Sequence, residues 1–146
     1  LDRVYRIKNR PKDKPLSYHF ADLKDFYDFA GTGLDPRQKE WFDKLIPNPV
    51  TLVYFDHLRK KTLGVRFPEN RIAREIIRYS RCPVIATSAN FSGEASGVSV
   101  EEMSDAFLDQ VDFVIDAGLT EKMQESTVVD ISSSQPVILR QGAFHL

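Results

Sequence analysis

The sequence predicts a mixed α/β (α+β) fold, with parallel and antiparallel strands in one twisted sheet and helices on its flanks. Three observations predict it. Short apolar β-type runs alternate with amphipathic helical stretches along the 146 residues. Two neighbouring runs, 51–55 and 62–66, are separated only by the charged turn 56–61, which reads as an antiparallel hairpin. The run Val84-Ile85-Ala86 opens into Thr87-Ser88-Ala89-Asn90-Phe91-Ser92-Gly93. Hydroxyls and an amide therefore stand just beyond the carboxyl end of a strand, where open α/β sheets bind their ligands.

In chain order, 1–7 reads as the end of a helix with Val4 and Ile7 on one face. Residues 16–20 form a short strand, Leu16, Tyr18 and Phe20 on one side and Ser17 and His19 on the other. Residues 22–30 are helical, with Leu23, Phe26 and Phe29 at helical spacing and a stop at Gly31-Thr32-Gly33. Asp35-Pro36-Arg37-Gln38 combines an N-cap, a first-turn proline and a capping-box partner. The helix it opens turns Trp41, Phe42 and Leu45 inward and ends before Pro47. After the hairpin, 70–81 is amphipathic, its apolar face made by Ile72, Ala73, Ile76, Ile77 and Tyr79. Ser99-Val100-Glu101-Glu102 reads as a second capping box, opening a helix that buries Met103, Phe107 and Leu108. Three further strands are expected at 113–115, 127–131 and 137–140.

The totals narrow the function classes. A hydrophobic share of 42% and a charged share of 28% are those of an ordinary globular protein. No apolar run reaches membrane-spanning length and no signal-peptide pattern is read, so no membrane partner is expected. The single Cys82 and the scattered histidines offer no metal-ligand spacing, and a reducing cytoplasmic location fits. The net charge of −1 conceals an asymmetry: 18 Lys/Arg against 11 Asp/Glu over 1–90, and 2 against 10 over 91–146. Arg3, Arg6, Lys8, Arg10, Lys12 and Lys14 make a basic cluster suited to phosphates, of a nucleotide or of RNA.

Five pieces then fall in one order. They are Lys8-Asn9-Arg10-Pro11 with Pro15-Leu16, Pro47-Asn48-Pro49-Val50-Thr51, Val65-Arg66-Phe67-Pro68, Ser88-Ala89-Asn90-Phe91-Ser92-Gly93, and Ser126-Thr127-Val128-Val129-Asp130 followed by Leu139-Arg140-Gln141-Gly142-Ala143. In this order and spacing the chain resembles the YrdC domain family, over nearly its whole length. The resemblance implies a twisted mixed sheet around a deep, basic central cavity. It implies synthesis of L-threonylcarbamoyl-AMP from L-threonine, bicarbonate and ATP with release of diphosphate, a nucleotidyl transfer that serves tRNA threonylcarbamoyladenosine modification. ATP contacts would fall on Arg10, Lys14, Thr62, Ser88, Ser96 and Arg140, and threonine contacts on His19, Arg66, the Ala86 backbone and Ser126. Lys8, Arg10, Ser88 and Asn90 match the family's catalytic Lys-x-Arg plus Ser-x-Asn tetrad. Magnesium would ride in with ATP as substrate, with no tightly bound cofactor and no protein metal site. Implied partners are downstream tRNA threonylcarbamoyl-transferase proteins, with only weak tRNA binding by the chain itself.

The residues suit these roles. Lys8 and Arg10, one residue apart, can reach one ligand only from an irregular segment, and Pro11 agrees with that. Arg10 offers a planar fork to phosphate oxygens and Lys8 a point charge. Arg66, at a strand end before Pro68, suits a carboxylate. The chain also departs from the pattern. The family's usual N-terminal strand with Pro-Thr-x-Thr-x-Tyr-Gly-Leu is not among these residues, so 1–146 is expected to be a single YrdC-like domain lacking it. Asn48 replaces the glycine of Pro-Gly-Pro at a position where φ is expected to be positive, and Ser96-Gly97-Val98 replaces Ser-Pro-Thr. Two other classes compete: a YrdC-like RNA-binding or accessory protein that makes no adenylate, and a carbamoyl-adenylate-forming domain of a hydrogenase-maturation protein. The intact Ser88-Ala89-Asn90 favours the synthase over the first, and the single cysteine disfavours the second.

Overall fold

A computed structural model describes residues 2–11, 16–46, 48–120 and 124–146. They form two compact units, Leu1–Pro15 with Thr87–Met123 and Leu16–Ala86 with Gln124–Leu146.

The larger unit is built on a six-stranded sheet in the order β4-β1-β3-β2-β5-β6. Its strands are β1 (Ser17–His19), β2 (Val50–Asp56), β3 (Lys61–Arg66), β4 (Val84–Ala86), β5 (Thr127–Asp130) and β6 (Val137–Arg140). The β1–β3 and β2–β5 pairs are parallel and the other three antiparallel, so the sheet is mixed, as expected. Alternation along β2 explains how it seats: Val50, Leu52, Tyr54 and Asp56 are buried, while Thr51, Val53 and Phe55 are half-buried. The buried face receives α2 (Leu23–Ala30) and α3 (Pro36–Leu45). Phe26 is the hub, with ring centroids 4.3 Å from Phe42 and 5.8 Å from Tyr54. The capping box forms as read, with Gln38 N donating to Asp35 Oδ1 at 2.8 Å and Asp35 N to Gln38 Oε1 at 3.1 Å. Buried Asp56 accepts from Arg59 Nη1 at 2.6 Å, and Arg59 Nη2 reaches Phe29 O at 2.8 Å, pinning the hairpin turn to α2.

Helix α4 (Arg71–Ser80) has the expected period, but its stripe is not covered. Ile72, Ile76 and Tyr79 are exposed, while Ala73 and Ile77 are half-buried. Asn48, expected at positive φ, is not among the positive-φ residues; its amide donates to Leu45 O at 3.0 Å and closes the end of α3.

The smaller unit holds α1 (Asp2–Ile7), the loop after β4 and α5 (Asp105–Leu108). Arg3 binds Asp112 through both carboxylate oxygens, at 2.7 and 3.0 Å. Phe91 meets Phe107 edge-on at 5.4 Å. Two sequence expectations fail here. Ser99 makes no capping hydrogen bond; a short 3₁₀ turn follows it, and Glu102 Oε2 accepts from Val98 N at 3.0 Å instead. Helix α5 starts later, after Ser104. Residues 113–115 form no strand, and Phe113, Val114 and Ile115 are 88%, 48% and 61% exposed. Apolar β-branched residues become a strand only where a neighbouring backbone completes the ladder, and none of the described residues pairs with them.

Candidate active site

In the smaller unit, α1 stops at Ile7 and the chain turns through Lys8 and Asn9, whose φ is +49°. This is the irregular segment that spacing and Pro11 required. Lys8 is only 3% exposed. Its ammonium donates to Ser88 O at 2.5 Å, Asn90 O at 2.7 Å and Asn90 Oδ1 at 3.0 Å. Lys8 O in turn accepts from Ser92 N at 2.8 Å, and Asn90 Nδ2 donates to Glu94 O at 2.7 Å. The lysine thus moulds the Ser-Ala-Asn loop around its own charge. Three of the four expected tetrad members, Lys8, Ser88 and Asn90, are brought together; Arg10 is half-buried beside them in sequence. Ser96 is exposed in the same unit, and Lys14 lies outside the described residues.

In the larger unit the sheet aligns the other candidates. Register runs Val84–His19–Arg66–Thr51–Val128–Arg140, one residue from each of the six strands. Directly paired residues share a face, so His19, Arg66, Thr51 and Arg140 stand in a row on the face opposite the aromatic core. Ser17, Gly64 and Val53 make the next row, with Ala86 beside Ser17. Thr62 follows Gly64 along β3, exposed.

The row is electropositive and incompletely satisfied. Arg66 is half-buried, and its buried Nε has no hydrogen-bond partner among the described residues. Burial and then the neighbouring Arg140 charge lower its pKa, yet a guanidinium stays protonated. Burial and then Arg66 push the His19 pKa down to about 4, so the imidazole is neutral at pH 7. Ser17 Oγ lies 3.0 Å from His19 Nε2 and 3.4 Å from Ala86 O, tying two candidate threonine contacts together. Ser126 is 2% exposed; its Oγ lies 2.8 Å from Thr51 Oγ1, and its carbonyl accepts from Arg140 Nη2 at 2.8 Å. Arg140 Nη1 pairs with Glu125 Oε2 at 2.6 Å. The Gln141-Gly142-Ala143 turn seals this corner, Ala143 N donating to Glu125 O at 3.0 Å. A Cβ on Gly142 would collide with the Glu125 carbonyl. Ser17, Thr51, Gly64 and Glu125 were not singled out from sequence, although Ser17 was placed on the face of His19.

A cavity of about 290 Å³ in this unit, lined by His19, Phe20, Asp25, Phe29, Arg78 and Cys82 among others, shares only His19 with the row. Arg78 there is already paired with Glu75. Among the described residues, the buried side-chain nitrogens without a hydrogen-bond partner are the Nε atoms of Arg37 and Arg66, and Arg66 is the one that stands in the row. Among the described residues, no group of three or more His, Cys, Asp or Glu is placed to hold a metal ion, and no helix is long and apolar enough to cross a membrane.

A sheet-borne arginine row in one unit and a lysine-moulded Ser-Ala-Asn loop in the other are held by residues 8–140, and the Sua5/yciO/yrdC family model, described as "Telomere recombination", matches residues 1–142. The chain belongs to this Sua5/YrdC family. A relative from Methanocaldococcus jannaschii is 33% identical over 146 residues, covering 96% of this chain and 68% of its own. The threonylcarbamoyl-AMP synthase of Pyrococcus abyssi is 34% identical over 159 residues, covering all of this chain and 45% of the relative. The crystal structure of P. abyssi Sua5 complexed with L-threonine superposes with a TM-score of 0.82 at 34% identity, covering 97% of this chain and 44% of that one. The chain therefore spans between under half and about two thirds of the length of these Sua5/YrdC relatives, and its family includes threonylcarbamoyl-AMP synthases.

Proposed function

We propose that this protein makes L-threonylcarbamoyl-AMP from L-threonine, bicarbonate and ATP, releasing diphosphate, as a cytoplasmic nucleotidyltransferase. The observation that carries the reading is Arg66, a half-buried guanidinium with an unpartnered Nε, set in one row with neutral His19. A relative of the same fold is solved with L-threonine. Arg66 takes the amino acid's carboxylate, and His19, the Ala86 backbone and Ser126 surround the rest of it. Arg10, Lys14, Thr62, Ser88, Ser96 and Arg140 are the proposed nucleotide contacts. Lys8 shapes the loop that carries Ser88 and Asn90. The proposal takes both units as parts of one YrdC-like domain, because the family model runs through both.

The chemistry needs no covalent enzyme intermediate. Bicarbonate gives up hydroxide to become carbon dioxide, and the threonine amine adds to it, forming a C–N bond and losing a proton that leaves with the hydroxide as water. The resulting carbamate oxygen bonds to the α-phosphorus of ATP as the bond to the diphosphate oxygen breaks. The protein aligns the carbamate with the leaving group and neutralises charge that moves onto the diphosphate. A neutral His19 beside Arg66 leaves the carboxylate to the arginine and adds no second positive charge to the pocket. Magnesium belongs to the nucleotide substrate in this scheme. The product would pass to tRNA threonylcarbamoyl-transferase proteins.

The test is diphosphate release from ATP in bicarbonate buffer with L-threonine, L-serine or L-valine. Release with threonine well above the others is expected, because a pocket that bonds the hydroxyl and packs the methyl rejects each analogue. Equal rates with all three refute a threonine-specific site. Sub-micromolar tRNA binding at physiological salt, unmoved by saturating ATP, favours the RNA-binding reading instead.

A further inference from the structure

The central strand β3 carries a residue that the fold does not account for. Gly64 lies between β1 and β2, paired with Ser17 on one side and Val53 on the other. A glycine inside a strand weakens it, and there are few reasons to keep one. One reason is a positive φ, as at Gly31, Gly93 and Gly118, but Gly64 is not among those residues. Another is a neighbour that leaves no room, as at Gly142. At Gly64 an added Cβ would meet Ser17 Cβ at 3.4 Å and Thr51 Cγ2 at 4.0 Å, which are ordinary contacts. Neither backbone nor packing demands glycine here. What remains is close approach of something to the bare backbone.

Its surroundings say what approaches. Along β3 the residues on this face are Thr62, Gly64 and Arg66, successive members about 6.6 Å apart. Gly64, itself buried, therefore sits between the group offered to the nucleotide and the group offered to the carboxylate, with Ser17 on one side and Thr51 on the other. We infer that Gly64 is a specificity-determining residue: its bare backbone is the floor over which the amino acid, anchored by its carboxylate at Arg66, extends its carbamate toward the nucleotide. The inference rests on the synthase reading. A side chain at 64 would occupy the space that the amino acid needs over this backbone, and an added Cβ makes only ordinary contacts with Ser17 and Thr51.

The experiment compares the protein with its Gly64→Ala and Gly64→Val variants. L-threonine and ATP binding are each measured by calorimetry, and stability by thermal unfolding. Valine should weaken threonine binding at least about tenfold, equivalent to about 1.4 kcal/mol or more, with ATP binding retained. Alanine should weaken threonine binding less, while holding or raising the unfolding temperature, since alanine suits a strand better than glycine. Binding falling as stability holds or rises is a pairing that a merely structural glycine would not give. Unchanged threonine affinity in the valine variant overturns the inference, as does an affinity loss that tracks a loss of stability. If the valine variant does not fold, the alanine variant decides by the same criteria. A parent protein that binds no threonine overturns the synthase reading itself, and with it this inference; a parent that binds threonine and a valine variant that binds it equally overturns the inference alone.

Discussion

Two of the candidate cations, buried Lys8 in one unit and half-buried Arg66 in the other, are in opposite states. Lys8 is 3% exposed, and its ammonium is surrounded by three close oxygens from Ser88 and Asn90. Arg66 is half-buried with a buried Nε that has no partner among the described residues. Taking a charge out of water is unfavourable in both places, and only at Lys8 does the protein compensate with its own carbonyls. The difference separates two meanings of a buried charge. A cation saturated by backbone oxygens holds a loop in shape. A cation left with an unused donor, in a row with a neutral imidazole, is the one that the proposed synthase reading pairs with a ligand's carboxylate.

The comparison is most directly broken at Lys8. Lys8→Met keeps the length and removes the ammonium, leaving two carbonyls and an amide oxygen of the loop short of a donor. Stability should fall by about 3–5 kcal/mol, the scale for several bonds to one charged group, and amide exchange should rise at 88–94. Denaturant unfolding of the variant at the parent's midpoint would show that the loop does not depend on the lysine.

Arg66 should behave in the reverse sense. Arg66→Met removes a half-buried charge whose Nε has no hydrogen-bond partner among the described residues and which Glu69 and Glu125 offset only through space, and replacing buried charge by an apolar side chain is often neutral or stabilising. Unfolding should therefore hold or improve, while L-threonine affinity drops about 100-fold, or about 2.7 kcal/mol, for a lost bidentate carboxylate contact. A variant that loses stability but still binds threonine would reverse the assignment of the two cations.

How much of this was legible in the sequence follows from the range of the interactions. Local signals held: Asp35 and Gln38 form their capping box, and the 51–55 and 62–66 runs become the β2–β3 hairpin. Ser17 and His19 were placed on one side of β1 by alternation alone, and they do share a hydrogen bond across two residues. What sequence could not reach depends on neighbours far along the chain. Thr51 meets Ser126 only because β2 and β5 pair in parallel, across 75 residues. Gly64 gains its meaning only when β1 and β2 flank it. The failures have the same root: 113–115 has strand-type residues with no partner strand among the described residues, and Ser99 has capping chemistry with a 3₁₀ turn behind it. The saturation of Lys8 was equally out of reach, since its acceptors lie 80 and 82 residues away.

The comparison is sharpened last by acid. His19 stands beside Arg66, and burial first, then the arginine's charge, holds its pKa near 4 against an ordinary 6.5. A folded-state pKa below the unfolded one means that between those values the unfolded chain binds the proton and the folded chain does not. The stability is fully present above pH 6.5 and is lost progressively as pH falls toward 4. By pH 5 the loss should be about 2 kcal/mol, since each pKa unit is about 1.36 kcal/mol. His19→Gln, which keeps a polar group beside Ser17, should remove this part of the slope between pH 7 and pH 5 and leave the rest to other groups. Denaturant unfolding of both proteins at those two pH values measures the difference directly. In Arg66→Met the His19 pKa should rise, because the second of its two causes is gone, and the acid loss should shrink. Equal slopes in the parent and His19→Gln would mean that the imidazole is not held neutral by its surroundings, and the row would lose the feature that leaves the carboxylate to Arg66 alone.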